Sequence, residues 1–261
     1  MKSSIFFLLV LCLSQNTFAA PPVAAPPVAA PRILRIDGII TATTLQQIEQ
    51  DLSGWINSDP IPAGLIVLMN SPGGDGQAAM KIGRLLRREN AQIFVTGQCE
   101  SACVFILASG VVRAANSGTV GVHAGRLTLT NRDGVILKEI DSSQSLTNSF
   151  KLTSFNSGAH QYLSEMGIKN GLIDVMLSHQ TKQTYKLTDF EMQQFGVIGF
   201  DNDYLRKRGD LFASLPVPEK VNRIELYKRT LSIPKLCSNQ AANNNAFIEC
   251  YKTVLFGEMP Q

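Results

Sequence analysis

The chain alternates between short unbroken apolar runs and stretches in which apolar residues recur every three or four positions. "RILRIDGII" (32–40) predicts a strand, and "TTLQQIEQDLSGWI" (43–56) predicts a helix with a threonine cap. "AGLIVLMN" (63–70) is continuously apolar and runs into a turn, "SPGGDG" (71–76), the pattern of a parallel strand buried on both faces. Helix, strand and helix follow in "QAAMKIGRLLRREN" (77–90), "AQIFVTG" (91–97) and "SACVFILASG" (101–110); "VVRAANSGTVGVHAG" (111–125) then reads as strand, turn and short strand. Such short alternating units predict an α/β fold of βαβ crossovers, with its ligand crevice at the carboxyl ends of the strands. Three loops fall there: "SPGGDG", "GQCES" (97–101) and "GVHAG" (121–125). From 125 to 185 the chain is richer in Ser, Asn and Thr, with helices expected around "SGAHQYLSEMG" (157–167) and "NGLIDVMLSHQ" (170–180). "YKLTDFEMQQFGVIGF" (185–200) predicts a helix capped by Thr188 and then a strand, while "RIELYKRTL" (223–231) and "NNAFIECYKTVLF" (244–256) predict short helices.

The ends of the chain have a different composition. Met1-Lys2, the apolar run Ile5–Leu13 and the small residues up to Ala19 have the form of a cleavable export signal, and the run is too short to span a bilayer. "APPVAAPPVAAP" (20–31) repeats a Pro/Val/Ala unit and reads as a linker. The expected organisation is therefore a signal at 1–19, a linker at 20–31, an α/β domain at 32–203 and a C-terminal helical extension at 204–261. The expected location is periplasmic or secreted, with no later segment apolar enough to cross a membrane. A net charge of +3, spread along the chain, does not point to nucleic acid. Export makes the remaining cysteines, Cys99, Cys103, Cys237 and Cys250, candidates for disulfides in any of three connectivities. Cys237 and Cys250 bracket a short polar loop and pair most economically. Cys99 and Cys103 would lie about 5–6 Å apart at Cβ in a regular helix, beyond the about 3.8 Å a bridge needs, so they can join only if Cys99 precedes the helix in a turn. No histidine stands at ligand spacing from them, and no metal or cofactor is expected.

Ser101 opens an otherwise apolar segment, either as a helix cap or as a nucleophile. His123 is the nearest base in the converging loops; the glycines of "SPGGDG" allow close backbone approach, and the residue after Ser101 opens a helix with unpaired N–H groups. His160 and His179 lie in the polar helical region and read as surface or core residues.

These residues also carry a resemblance. "NSPGG" after a strand, "GQCESA" and "TVGVHAG", over about 34–125, together with "YKLTDFEMQQFGVIG" (185–199), resemble the Clp protease proteolytic subunit within the ClpP/crotonase superfamily. The resemblance implies a repeated ββα core with a helical handle region, Ser101 as nucleophile, His123 as general base, and the Gly74 and Ala102 N–H groups as oxyanion donors. It implies peptide or unfolded protein as substrate, and a homo-oligomer. The family's orienting aspartate has no clear counterpart: Gln180 falls near the expected place and Asp174 is the nearest upstream carboxylate, leaving a Ser-His dyad or an uncharged orienter as the alternatives. Related signal-peptide peptidases use a lysine base, for which Lys138 is the first candidate, but His123 fits its own loop better. An exported member would work without ATP. Two rival readings are a degenerate member that binds peptides or a partner without cleaving, and a crotonase-type acyl-CoA enzyme. Cys99 and Cys103 would lock the Ser101 turn by a bridge, or gate it by redox state.

Overall fold

The computed structural model describes residues 31–54, 64–180, 183–214 and 223–257. The export signal and all but the last residue of the expected linker lie outside them. The described chain is mixed α/β with a predominantly parallel sheet. β1 (Arg32–Asp37), β2 (Leu65–Ser71), β3 (Gln92–Glu100) and β4 (Val112–Ala115) lie side by side and parallel, connected through α1 (Ala42–Ser53), α2 (Gly76–Arg88) and α3 (Cys103–Ser109). Alternate residues of β2 and β3, among them Val67, Met69, Ile93 and Val95, are wholly buried, whereas Ile66 and Leu68 on the other face of β2 are only half-buried, so one face is covered more completely than the expected two. Thr41 caps α1 in a reciprocal box with Thr44, and Asp75 caps α2 by accepting from the Gln77 and Ala78 amides.

β3 is where the site is made. Its first half pairs with β4, and its last two residues pair instead with β5 (Val120–Val122). Between them the register against β2 shifts, Met69 facing Val95 but Ser71 facing Cys99. The bulge is held by Asn70, whose side-chain oxygen accepts from the Gln98 amide. A bulge bends its strand and re-aims the residues beyond it, and here it turns Cys99 and Glu100 toward β5.

The polar middle region holds an antiparallel ribbon that the sequence pattern did not suggest, β6 (Leu127–Thr130) with β7 (Ile136–Ile140). It carries Leu129, Ile136 and Leu137 exposed, so the inside/outside contrast on which strand recognition depends is weak there. α4 (Leu146–Glu165) begins eleven residues before the expected segment at 157. It docks through Tyr162, which is fully buried, donates to the Phe105 carbonyl at 2.7 Å and packs edge-on to the Phe105 ring. α5 (Gly171–Ser178), the short β8 (Tyr185–Lys186), α6 (Asp189–Phe195), with Thr188 and Glu191 forming its capping box, and β9 (Gly199–Phe200) follow. β8 pairs with β5, and β9 closes the sheet antiparallel to β4.

α7 (Asn202–Ser214), α8 (Arg223–Cys237) and α9 (Asn244–Phe256) form the C-terminal helices, with Cys237 joined to Cys250 at a Cα separation of 5.7 Å. Ile233, Cys237 and Leu255 make a second small core, and Phe247 stacks on Phe200 of the sheet. On β4, Arg113 is buried and donates to the Ala108 and Met166 carbonyls. Burial lowers its pKa to about 10 and the nearby Arg87 adds to this, whereas Asp201 opposes it. Asp201 pairs with Arg87 and caps α7 through the Tyr204 amide. Asp201→Asn keeps the cap but leaves two neighbouring guanidinium groups without their counter-charge. Breaking such a network costs about 3 kcal/mol, which thermal unfolding should register as a Tm lower by about 6–12 °C.

Candidate active site

The three glycine-, serine- and histidine-bearing loops meet along one cavity of about 1190 Å³, lined among others by Gly73, Gly74, Glu100, Ser101, Ala102 and His123. Ser101 follows β3 directly and has φ +54°, a left-handed conformation that non-glycine residues adopt at a cost. Its amide donates to Gly121 O at 2.8 Å, and its carbonyl accepts from Val104 N at 3.1 Å, so both neighbours define the turn. α3 starts only at Cys103, with Ala102 as its cap residue and no side-chain cap bond. Ser101 therefore stands one residue before the cap position, and of the two readings of this serine the helix cap is not the one observed.

Cys99 and Cys103 are joined across this turn, with Cα atoms 5.2 Å apart and both residues fully buried. The bridge is reachable because Cys99 belongs to the strand, not the helix. It closes a ring of five residues with Ser101 at the centre.

Gly73 and Gly74 have φ +100° and +140°. A Cβ on Gly73 would lie 2.7 Å from that of Ser101 and 2.6 Å from Glu100 O, so the glycine lets the two loops touch. The Gly73 amide is taken by Ser71 Oγ at 3.1 Å, and Ile40 brackets the turn by donating to Gly73 O and accepting from Asp75 N, both at 2.8 Å. The Gly74 and Ala102 amides have no backbone acceptor among the described residues, and both residues line the cavity.

His123 comes two residues after Gly121 at the end of β5. Its Nδ1 lies 2.6 Å from the Ala124 carbonyl and donates to it, which leaves Nε2 unprotonated as the basic nitrogen in the neutral ring. Burial pulls its pKa below the ordinary histidine value; the Ala124 hydrogen bond opposes this, Arg126 reinforces it, and Glu100 and Glu139 oppose it. Ser101 Oγ and His123 share the cavity without a direct hydrogen bond; such contacts commonly tighten only when substrate binds.

Neither Gln180 nor Asp174 lines the cavity, and both are exposed. His123 Nδ1 is held instead by the Ala124 backbone carbonyl. Lys138 sits on β7 and also lies outside the cavity lining, His160 is exposed on α4, and His179 stacks on Tyr185 at 4.2 Å. The structure adds two residues that sequence reasoning passed over, Glu100 and Thr184, which line the cavity and bond to each other at 3.0 Å. The available signal was a carboxylate adjoining the serine. Phe105, Phe155, Ile173 and Met176 form an apolar wall beside them. Among the described residues, no group of three or more His, Cys, Asp or Glu side chains could hold a metal ion, and no helix is long and apolar enough to cross a membrane.

No protein-family model matches this chain, and no curated protein matches it. Among solved structures it is similar to a mutant of the "1510-N membrane-bound stomatin-specific protease", with 21% sequence identity and a TM-score of 0.46, over 70% of this chain and 85% of that one.

Proposed function

We propose that this protein is a serine hydrolase of the ClpP/crotonase type, acting on peptides or unfolded protein without ATP. The observation that carries the reading is Ser101 itself: a non-glycine residue at φ +54° beside a cavity, between two backbone amides with no backbone acceptor among the described residues. Backbone strain of this kind persists where surrounding structure enforces it, and it clusters at working sites. Ser101 Oγ attacks the acyl carbon while its proton passes to Nε2 of His123. The Gly74 and Ala102 amides receive the negative charge that forms on the carbonyl oxygen. The imidazolium then gives its proton to the leaving amine, and water releases the acyl group by the same steps in reverse roles. The apolar wall at Phe105 and Phe155 favours uncharged side chains next to the scissile bond.

The division into 32–203 and 204–261, export by a signal at 1–19 and homo-oligomerisation belong to the same proposal. Two disulfides suit an oxidising compartment, and the exposed Leu129, Ile136 and Leu137 offer apolar area for a second copy.

A fluorophosphonate probe should label the oxidised protein covalently at Ser101, as mapped by peptide mass spectrometry. The labelling rate should rise through an acidic limb set by His123 and centred below the ordinary histidine pKa, since only the neutral ring accepts the proton. A folded, oxidised protein that never labels would sink the hydrolase reading. It would support instead a peptide-binding protein, the reading favoured by a His123 whose Nδ1 is held by a carbonyl rather than a carboxylate.

A further inference from the structure

Glu100 precedes the nucleophile in sequence and ends β3. Three strands meet at this point in one row, Glu100 facing Gly121 on β5 and Gly121 facing Lys186 on β8. Because Gly121 has no side chain, the flanking residues meet over it. A Cβ there would stand 3.0 Å from Thr184 Cβ and Oγ1 and 3.3 Å from Glu100 Cγ. In that space Thr184 Oγ1 donates to Glu100 Oε2 at 3.0 Å, and Lys186 Nζ pairs with Glu100 Oε1. The Glu100 side chain is 21% exposed, and both its oxygens are held. His123 follows the end of β5 directly, two positions beyond Gly121. Glu100, Thr184 and His123 line the same cavity.

We propose that Glu100 is the carboxylate of the active site, a positioning residue that stabilises the imidazolium of His123 through space, held over Gly121 by Thr184 and tempered by Lys186. This deepens the serine hydrolase reading and rests on it for its catalytic use. A histidine whose Nδ1 binds only a neutral carbonyl has its tautomer fixed but no charge to balance its proton. A carboxylate in a neighbouring strand supplies that balance without touching the ring, and its field is strengthened where the cavity excludes water. The other groups near the ring offset one another. Arg126 faces Glu139 at 3.6 Å from the ribbon side, Asp75 is engaged as the cap of α2, and His179 is turned to Val175 O. Glu100 acts on His123 in the same direction as Glu139 and against Arg126.

The test is a histidine ring NMR titration of the oxidised protein, simple to assign because the chain has three histidines. It would be run beside steady-state kinetics on Glu100→Gln and Lys186→Met. Glu100→Gln should lower the His123 pKa and reduce kcat about tenfold with KM nearly unchanged. Lys186→Met should move the His123 pKa the opposite way, because it unmasks the same carboxylate. A role confined to holding the strands together would lower the unfolding temperature in both variants without opposite titration shifts. A His123 pKa that is unchanged in Glu100→Gln, or that moves the same way in both, overturns the proposal. The titration does not require turnover, so it stands apart from the labelling experiment. Wild type that fails to label removes the hydrolase reading, whereas wild type that labels with an unmoved His123 removes only the part given to Glu100.

Discussion

Ser101→Ala should abolish covalent labelling and lower hydrolysis by at least about ten-thousandfold, with the fold unchanged, and Ser101→Gly should do the same while making the protein more stable. The two variants separate chemistry from strain. Both remove the hydroxyl, but alanine keeps a Cβ in the left-handed region and glycine does not. Ser101 has φ +54° because the Gly121 carbonyl, the Val104 amide and the Cys99–Cys103 bridge together define the turn. Relief of that conformation is worth up to about 1 kcal/mol, a Tm higher by about 2–4 °C for a chain of this size. Calorimetry of the two variants side by side measures it directly. A glycine variant no more stable than the alanine one would mean that the turn stores no strain, and the strongest sign of a working site would be lost.

Gly74→Ala should lower kcat by about one hundred- to one thousandfold, the cost of losing one oxyanion donor, with a smaller effect on KM. The added methyl would stand 2.2 Å from the Ile40 carbonyl and 2.8 Å from the Ile40 amide, backbone atoms that cannot swing aside. Gly74 itself holds φ +140°, where an L side chain is disfavoured. The loop must move, and the Gly74 amide moves with it. Ile40 also loses its hold on Gly73 O and Asp75 N, so some stability goes as well. The informative comparison is kcat against the unfolding temperature. Losses that track global unfolding alone, with kcat preserved in the folded fraction, would remove Gly74 from the oxyanion site.

The amino-acid pattern alone determined the alternation of strands and helices from 32 to 125 and the convergence of Gly73-Gly74, Ser101 and His123. These depend on local signals: apolar runs, a threonine at the head of the first helix, and glycine turns. The helix at 244–256 was legible for the same reason. The β6–β7 ribbon was not, since its apolar side chains remain exposed and leave no buried face to read. Nor was α7, whose buried Leu205 and core-packed Tyr204 sit in a mostly charged segment that is also tied through the Asp201 cap. Within the site, sequence spacing could name a serine and a histidine but not their surroundings. The left-handed turn at Ser101, the Ala124 carbonyl on His123 and the meeting of Glu100, Thr184 and Lys186 over Gly121 were decided by tertiary structure. The meeting over Gly121 and the Gly121 carbonyl on the Ser101 amide depend on strands far apart in sequence, where β3 passes from β4 to β5. Separation along the chain carries no information about such contacts; the register of packed strands does.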